Sequence, residues 1–202
     1  MAGLYRVFPF HPDSPPTGPG GPLYIPPQGS GRIDNPNLYA VLYLSDAEAG
    51  AIAEAFGRFP EWTPAMLAGA PALPGSVRAL ARYRLNEGAA ICDLDDAPRL
   101  VSLGLRPSQI VTRDYTQTRA WARSIYEQGL WAGVRWWSYY DPQWGSIGLW
   151  RTGELEVEEV RVLRLDDPAL IEASHAIVRR IVVPRPECSR PRRESPKRRG
   201  RR

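Results

Sequence analysis

Residues 39–56 change hydrophobic period midway. Tyr39 to Leu44 is an unbroken apolar run with β-branched and aromatic members, which predicts a short buried strand. Ser45 and Glu48 have the Ser-x-x-Glu spacing of a capping box, so a helix is expected from Asp46. In that helix Ala49, Ile52, Ala53 and Phe56 recur at helical spacing and form the buried stripe. Glu54 falls off the centre of the stripe, with Gly50, Ala47 and Ala51 on the preceding turn. Periodicity alone makes it an ordinary surface glutamate. Its small neighbours would also let a ligand approach the backbone.

The same reading assigns the rest of the chain. Gly3 to Phe8 alternates as a strand, which Pro9 is expected to end. Residues 11–28 hold too many Pro and Gly for a helix and form a loop. Residues 57–75 are broken by four prolines. Ser76 is expected to open a short helix to about Arg82. Residues 82–86 and 89–94 then read as two strands about a Glu87-Gly88 turn. Asp95 or Asp96 caps a helix that ends near Leu103, before Gly104. A longer helix opens at Thr112 and runs to Gln128, stopped by Gly129, with Trp121, Ala122 and Ile125 inward. Residues 133–140 and 146–150 predict an aromatic-rich hairpin around Asp141-Pro142. Residues 154–164 alternate as a half-exposed strand. Asp167-Pro168 opens a helix to about Val178, and Ile181 to Val183 forms a last strand. Strands and helices mix without a βαβ repeat, so the expected class is α+β, with mainly antiparallel sheets and surrounding helices.

Charge divides the chain. Residues 184–202 carry nine Lys/Arg against two Glu, a local +7 within a net +4, so the rest is mildly acidic at −3. This suggests one domain over residues 1–183 and a disordered basic tail over residues 184–202, attracted weakly to polyanions. The basic overall balance therefore does not mark a nucleic-acid-binding fold. Two cysteines, one of them in the tail, make no disulfide framework, and His11 and His175 make no zinc site, so no metal is expected. The chain has no apolar run of membrane-spanning length and no signal-peptide pattern, which leads to the expectation of a cytoplasmic protein with no membrane partner. Neither GxGxxG nor GxxxxGK[ST] occurs, which argues against Rossmann dehydrogenases and P-loop NTPases.

Four positions invite chemistry from their setting. Arg6 stands among Tyr5, Val7 and Phe8, where an arginine faces a cleft or points to water from an edge strand. Arg32 tops a glycine-bracketed loop, Gly29-Ser30-Gly31-Arg32. Thr116 lies at a helix N-terminus, whose free N–H groups suit an anion, although a capping hydroxyl explains it as well. Ser138 lacks a His-Asp pattern, so no hydrolase triad is expected.

In order and spacing, Tyr5-Arg6, Gly31-Arg32 through Asn35-Pro36, Ala40 to Ser45, Ala51 to Glu54 and Gly133 to Ser138 resemble the RES domain family. Three departures stand out: Ile33 replaces the common Trp, Asp34 sits before Asn35, and Tyr139 follows the serine where a small residue is usual. The resemblance implies a fold like that of ADP-ribosyltransferases and a toxin that degrades NAD+ by cleaving the nicotinamide–ribose bond, with phosphate or water as acceptor. NAD+ would then be a substrate rather than a cofactor, inorganic phosphate a co-substrate, and a helix-turn-helix, Xre-type antitoxin the protein partner. It further implies Arg6, Arg32, Glu54 and Ser138 as catalytic residues, with Tyr43, Thr116 and the two arginines binding substrate. A protein ADP-ribosyltransferase using the same site, or a non-enzymatic RES-like binding protein, remain as alternatives.

Overall fold

A computed structural model of the 202-residue chain describes residues 3–183. The basic tail and Cys188 lie outside the described residues. The strands are β1 (Leu4–Phe10), β2 (Leu42–Ser45), β3 (Glu61–Trp62), β4 (Val77–Leu85), β5 (Ile91–Asp93), β6 (Gly133–Trp137), β7 (Gly145–Leu149), β8 (Leu155–Val162) and β9 (Arg180–Ile181). The α-helices are α1 (Glu48–Phe56), α2 (Ala97–Ser102), α3 (Pro107–Ile110), α4 (Tyr115–Glu127) and α5 (Pro168–Ala176). Seven strands form one sheet in the order β5-β6-β7-β2-β1-β4-β8, antiparallel except for the β5–β6 pair. β3 and β9 form a separate parallel pair. The fold is α+β, as its element pattern predicts.

Three buried clusters hold the layers together. Leu44, Phe8, Tyr83 and Leu149 build the first, on one face of the central strands, closed by Leu23 and Ile25 of the long proline-rich loop. Ile52, Phe56, Trp62, Leu80 and Leu170 build the second, where α1 and α5 cover the other face. The third joins α2, α3 and α4 to β5 and β6 through Leu100, Ile110, Trp121 and Val134. The helical stripe of Ala49, Ile52, Ala53 and Phe56 is buried as its spacing requires.

Several local expectations give way to long-range pairing. Residues 77–85 form a strand rather than a short helix, because β4 pairs along its length with both β1 and β8. β4 and β5 do not form a hairpin, since they lie on opposite sides of the sheet and β5 runs parallel to β6. Pro9 does not end β1, which continues to Phe10 with Pro9 opposite Arg78. A missing N–H is tolerated there because β1 has β4 as its only registered neighbour beyond Tyr5. The capping box does not form. Ser45 Oγ donates to Gly145 O, and α1 starts at Glu48 after Ala47. Asp46 instead accepts from Gly145 N (2.6 Å) and pairs with Arg135, which also reaches Asp93 and Asp95. This ties the β6–β7 hairpin to the start of α1. The hairpin aromatics divide between cores: Trp136, Trp137 and Trp150 pack with α4, whereas Tyr140 and Trp144 pack with α1.

Candidate active site

The site lies where the sheet splits. β1 and β2 share a single registered pair, Tyr5–Ser45, and then diverge. A cleft of about 380 Å³ opens between them, lined from β1 by Tyr5, Arg6 and Val7 and from β2 by Tyr43, Leu44 and Ser45. Because the strands part here, side chains from both faces of β1 reach one cavity.

α1 supplies the carboxylate. Glu54 projects into the cleft beside Ala51 and Ala55. Those two alanines form the small-residue floor. Gly50 does not, being covered by Ser45 and Trp144. Ser138, only 3% exposed, donates its hydroxyl to Glu54 Oε1 (2.7 Å) and accepts from Tyr140 N (3.2 Å). A second hydroxyl, Ser146 Oγ on β7, lies 3.4 Å from the same oxygen. Ser138 is therefore a buried support behind the carboxylate, while Ser146 lines the cleft. No described cation pairs with Glu54.

The arginines face the same space. Arg6 donates through one nitrogen to Pro22 O (3.1 Å) and Tyr24 O (2.9 Å). Burial holds its pKa below the usual guanidinium range, against the opposing pull of Tyr83. The Tyr83 hydroxyl, pushed up to about 12 chiefly by burial, donates to Pro22 O (2.6 Å). The proline-rich loop thus packs against β1 and braces Arg6. Arg32 donates to Ile110 O (3.1 Å) and Thr112 O (2.5 Å), and its guanidinium lies 5.6 Å from the Tyr115 ring. Among the described residues neither arginine has a carboxylate partner. Their remaining N–H groups are left for an anion.

The Gly29–Asn35 loop is shaped by Asp34, which is 3% exposed. Its carboxylate accepts from the backbone N–H groups of Gly29 and Gly31 (2.7 Å each) and from Tyr43 Oη (2.6 Å). Burial opposes ionisation, yet the hydrogen bonds from Tyr43, Gly29 and Gly31 and the charge of Arg119 keep the carboxyl below the usual carboxylate range. Tyr43 also accepts from Ile33 N (3.2 Å), and burial followed by Asp34 raises its pKa. This hydroxyl is occupied with shaping the loop. Gly31 has no room for a side chain, because a Cβ would meet Tyr43 Oη and Asp34. Arg119 clamps the loop from α4 through Gly29 O (2.8 Å) and Gly31 O (3.0 Å). Thr118 Oγ1 donates to Arg32 O. Ile33, which is fully buried, packs over Gly148.

Thr116 does not join the others. It is exposed and outside the cleft lining, and its backbone N–H is taken by the Asp114 cap (3.0 Å). Neighbouring Tyr115 lines the cleft instead, and Thr118 one turn on holds the arginine loop. Tyr5, Trp136, Tyr139 and Ser146 also line it. Of these, only Tyr5 and Tyr139 carry a local signal, being adjacent to Arg6 and Ser138. The described residues include no cluster of His, Cys, Asp and Glu suited to a metal. No helix among them is long and apolar enough to cross a membrane.

The RES domain family model matches residues 4–171. Among solved structures, a chain of the M. tuberculosis MbcT–MbcA toxin–antitoxin complex superposes with a TM-score of 0.57 at 15% identity, covering 88% of this chain and 89% of the other. That likeness speaks for the fold. No curated protein sequence matches. With the family model spanning β1 to α5 and the split-sheet cleft within its bounds, the chain belongs to the RES domain family.

Proposed function

We propose that this RES domain is the toxin of a toxin–antitoxin pair and destroys NAD+ by breaking its nicotinamide–ribose bond. One observation carries the reading. A single cleft holds two arginines without a carboxylate partner and one carboxylate without a cation partner among the described residues. Structural ion pairs would have satisfied these charges internally. Left open, they match a ligand that is anionic at one end and develops positive charge at the other.

NAD+ has that polarity. Its pyrophosphate suits guanidinium forks, which bind phosphate oxygens through parallel N–H donors. Cleavage sends the C1′–N bonding electrons to the pyridinium nitrogen, and neutral nicotinamide leaves. The ribosyl group becomes oxocarbenium-like, and a carboxylate beside it stabilises that charge. Glu54 takes this role in the scheme, a reading supported by its Oε1 being held by Ser138 and Ser146 while Oε2 is free of protein donors among the described residues. An oxygen of phosphate, drawn in by Arg6 or Arg32, or of water then bonds to C1′. The spare arginine donors support inorganic phosphate, which the family resemblance implies, as co-substrate. No resident cofactor is required. Tyr43 contributes by shaping the Arg32 loop, and Thr116 has no part in this scheme.

An antitoxin partner is supported by the fold's likeness to a chain of a toxin–antitoxin complex. The resemblance to the family implies an Xre-type, helix-turn-helix protein acting in the cytoplasm. The test is incubation of the pure protein with NAD+, with and without phosphate, and mass analysis of products. ADP-ribose phosphate, or free ADP-ribose, with equimolar nicotinamide is expected. ADP-ribose found on protein instead would establish the transferase alternative, and intact NAD+ would refute the reading.

A further inference from the structure

The aromatic side chains around the cleft differ in what already touches them. Trp136 is 5% exposed and packs edge-on against Trp121. Tyr5 packs into the α1 core. Tyr115 lies within 5.6 and 5.8 Å of the Arg32 and Arg119 guanidiniums, so its surroundings are electropositive. Tyr139 alone among these lining aromatics is mostly open, at 61% exposure, and none of the described cation–π contacts involves its ring. It directly follows Ser138, whose hydroxyl holds Glu54, and its ring meets Tyr140 edge-on at 5.5 Å. The raised pKa of Tyr140 comes first from burial and then from Glu54, against the opposing charges of Arg179 and Arg58, so the carboxylate's field reaches this corner. Arg32 thus lies beside Tyr115, whereas the open face of Tyr139 follows directly on the serine that holds Glu54.

We propose that Tyr139 recognises the positively charged pyridinium ring of the substrate by stacking against it in the field of Glu54. This rests on the NAD+ reading above and adds a determinant of specificity to it. A cation is drawn to the face of an aromatic ring by the ring's quadrupole. The attraction falls once the glycosidic bond breaks, because the departing nicotinamide is neutral. Tyr139 thus favours the oxidised dinucleotide over its reduced form, whose dihydropyridine ring is uncharged, and lets product go.

The experiment measures KM for NAD+ and the inhibition constant of NADH for the unaltered protein, Tyr139→Phe and Tyr139→Leu. Exposure of the side chain means both variants should fold, which melting curves check. Tyr139→Phe keeps the ring face and should stay within about twofold of the parent. Tyr139→Leu should raise KM for NAD+ by about tenfold, the scale of a partly desolvated cation–π contact. NADH inhibition should weaken by less than about threefold, so the preference for the oxidised form collapses. Equal weakening for NAD+ and NADH, or no change in either, overturns the proposal while leaving the NAD+ reading intact. A parent protein that neither binds nor consumes NAD+ removes that reading first, and the proposal with it.

Discussion

Replacing Glu54 by glutamine removes a charge while leaving shape and one hydrogen bond in place. Ser138 Oγ donates to Glu54 Oε1 at 2.7 Å, and a side-chain amide oxygen can accept the same bond. The residue is exposed toward the cleft, so the change should cost within about 0.5 kcal/mol of stability. The electrostatic loss is larger. A carboxylate about 4 Å from a developing cation gains about 4 kcal/mol at an effective dielectric of about 20. Solvent reaching an open cleft reduces that figure, and loss of one preorganised group commonly costs about 10²–10³ in rate. Glu54→Gln should therefore consume NAD+ about 10²–10³ times more slowly, with melting temperature nearly unchanged. The assay is initial-rate loss of NAD+ with calorimetry on the same preparation. A folded variant with near-normal turnover refutes the assignment. A collapsed melting temperature would instead show that Glu54 holds the hairpin to α1.

Three further outcomes follow from the geometry. Arg32→Lys should raise KM for NAD+ or phosphate by about tenfold in steady-state assays, since an ammonium that keeps Ile110 O and Thr112 O has one N–H left and lacks the fork that grips a phosphate. Asp34 has a depressed folded pKa, so its stabilisation is complete above the ordinary carboxylate range near about 3.9 and is lost as pH falls through the lower folded value; acid melts should show this step, and Asp34→Asn should remove it. Val178, 85% exposed, has a left-handed φ of 53° at the end of α5, so Val178→Gly should stabilise by about 1 kcal/mol and raise the melting temperature by about 2–4 °C in calorimetry.

Elements governed by neighbours along the chain are legible in the sequence. α1 carries its stripe at helical spacing, α4 ends before Gly129, α5 opens on Asp167-Pro168, and β6 and β7 are joined by a short turn. Each depends on local periodicity, caps and turn residues, which act over a few positions. The Gly29–Asn35 loop, Arg6, Glu54 and Ser138 also stand out, by their order along the chain and their surroundings. Tertiary structure decides the rest. Val77-Arg78-Ala79-Leu80-Ala81 has residues that suit a helix, yet pairing with β1 and β8 makes it a strand. Ser45 and Glu48 have capping-box spacing, but the hairpin one hundred residues away takes the serine hydroxyl. Tyr43 has the position of a substrate ligand, but in the fold Asp34 occupies its hydroxyl. Ser146, Tyr115 and Tyr139 reach the cleft because β1 and β2 part after one pair, bringing segments far apart in sequence to a common opening. Hydrogen-bonding side chains choose partners by distance in space, and a sequence records only distance along the chain.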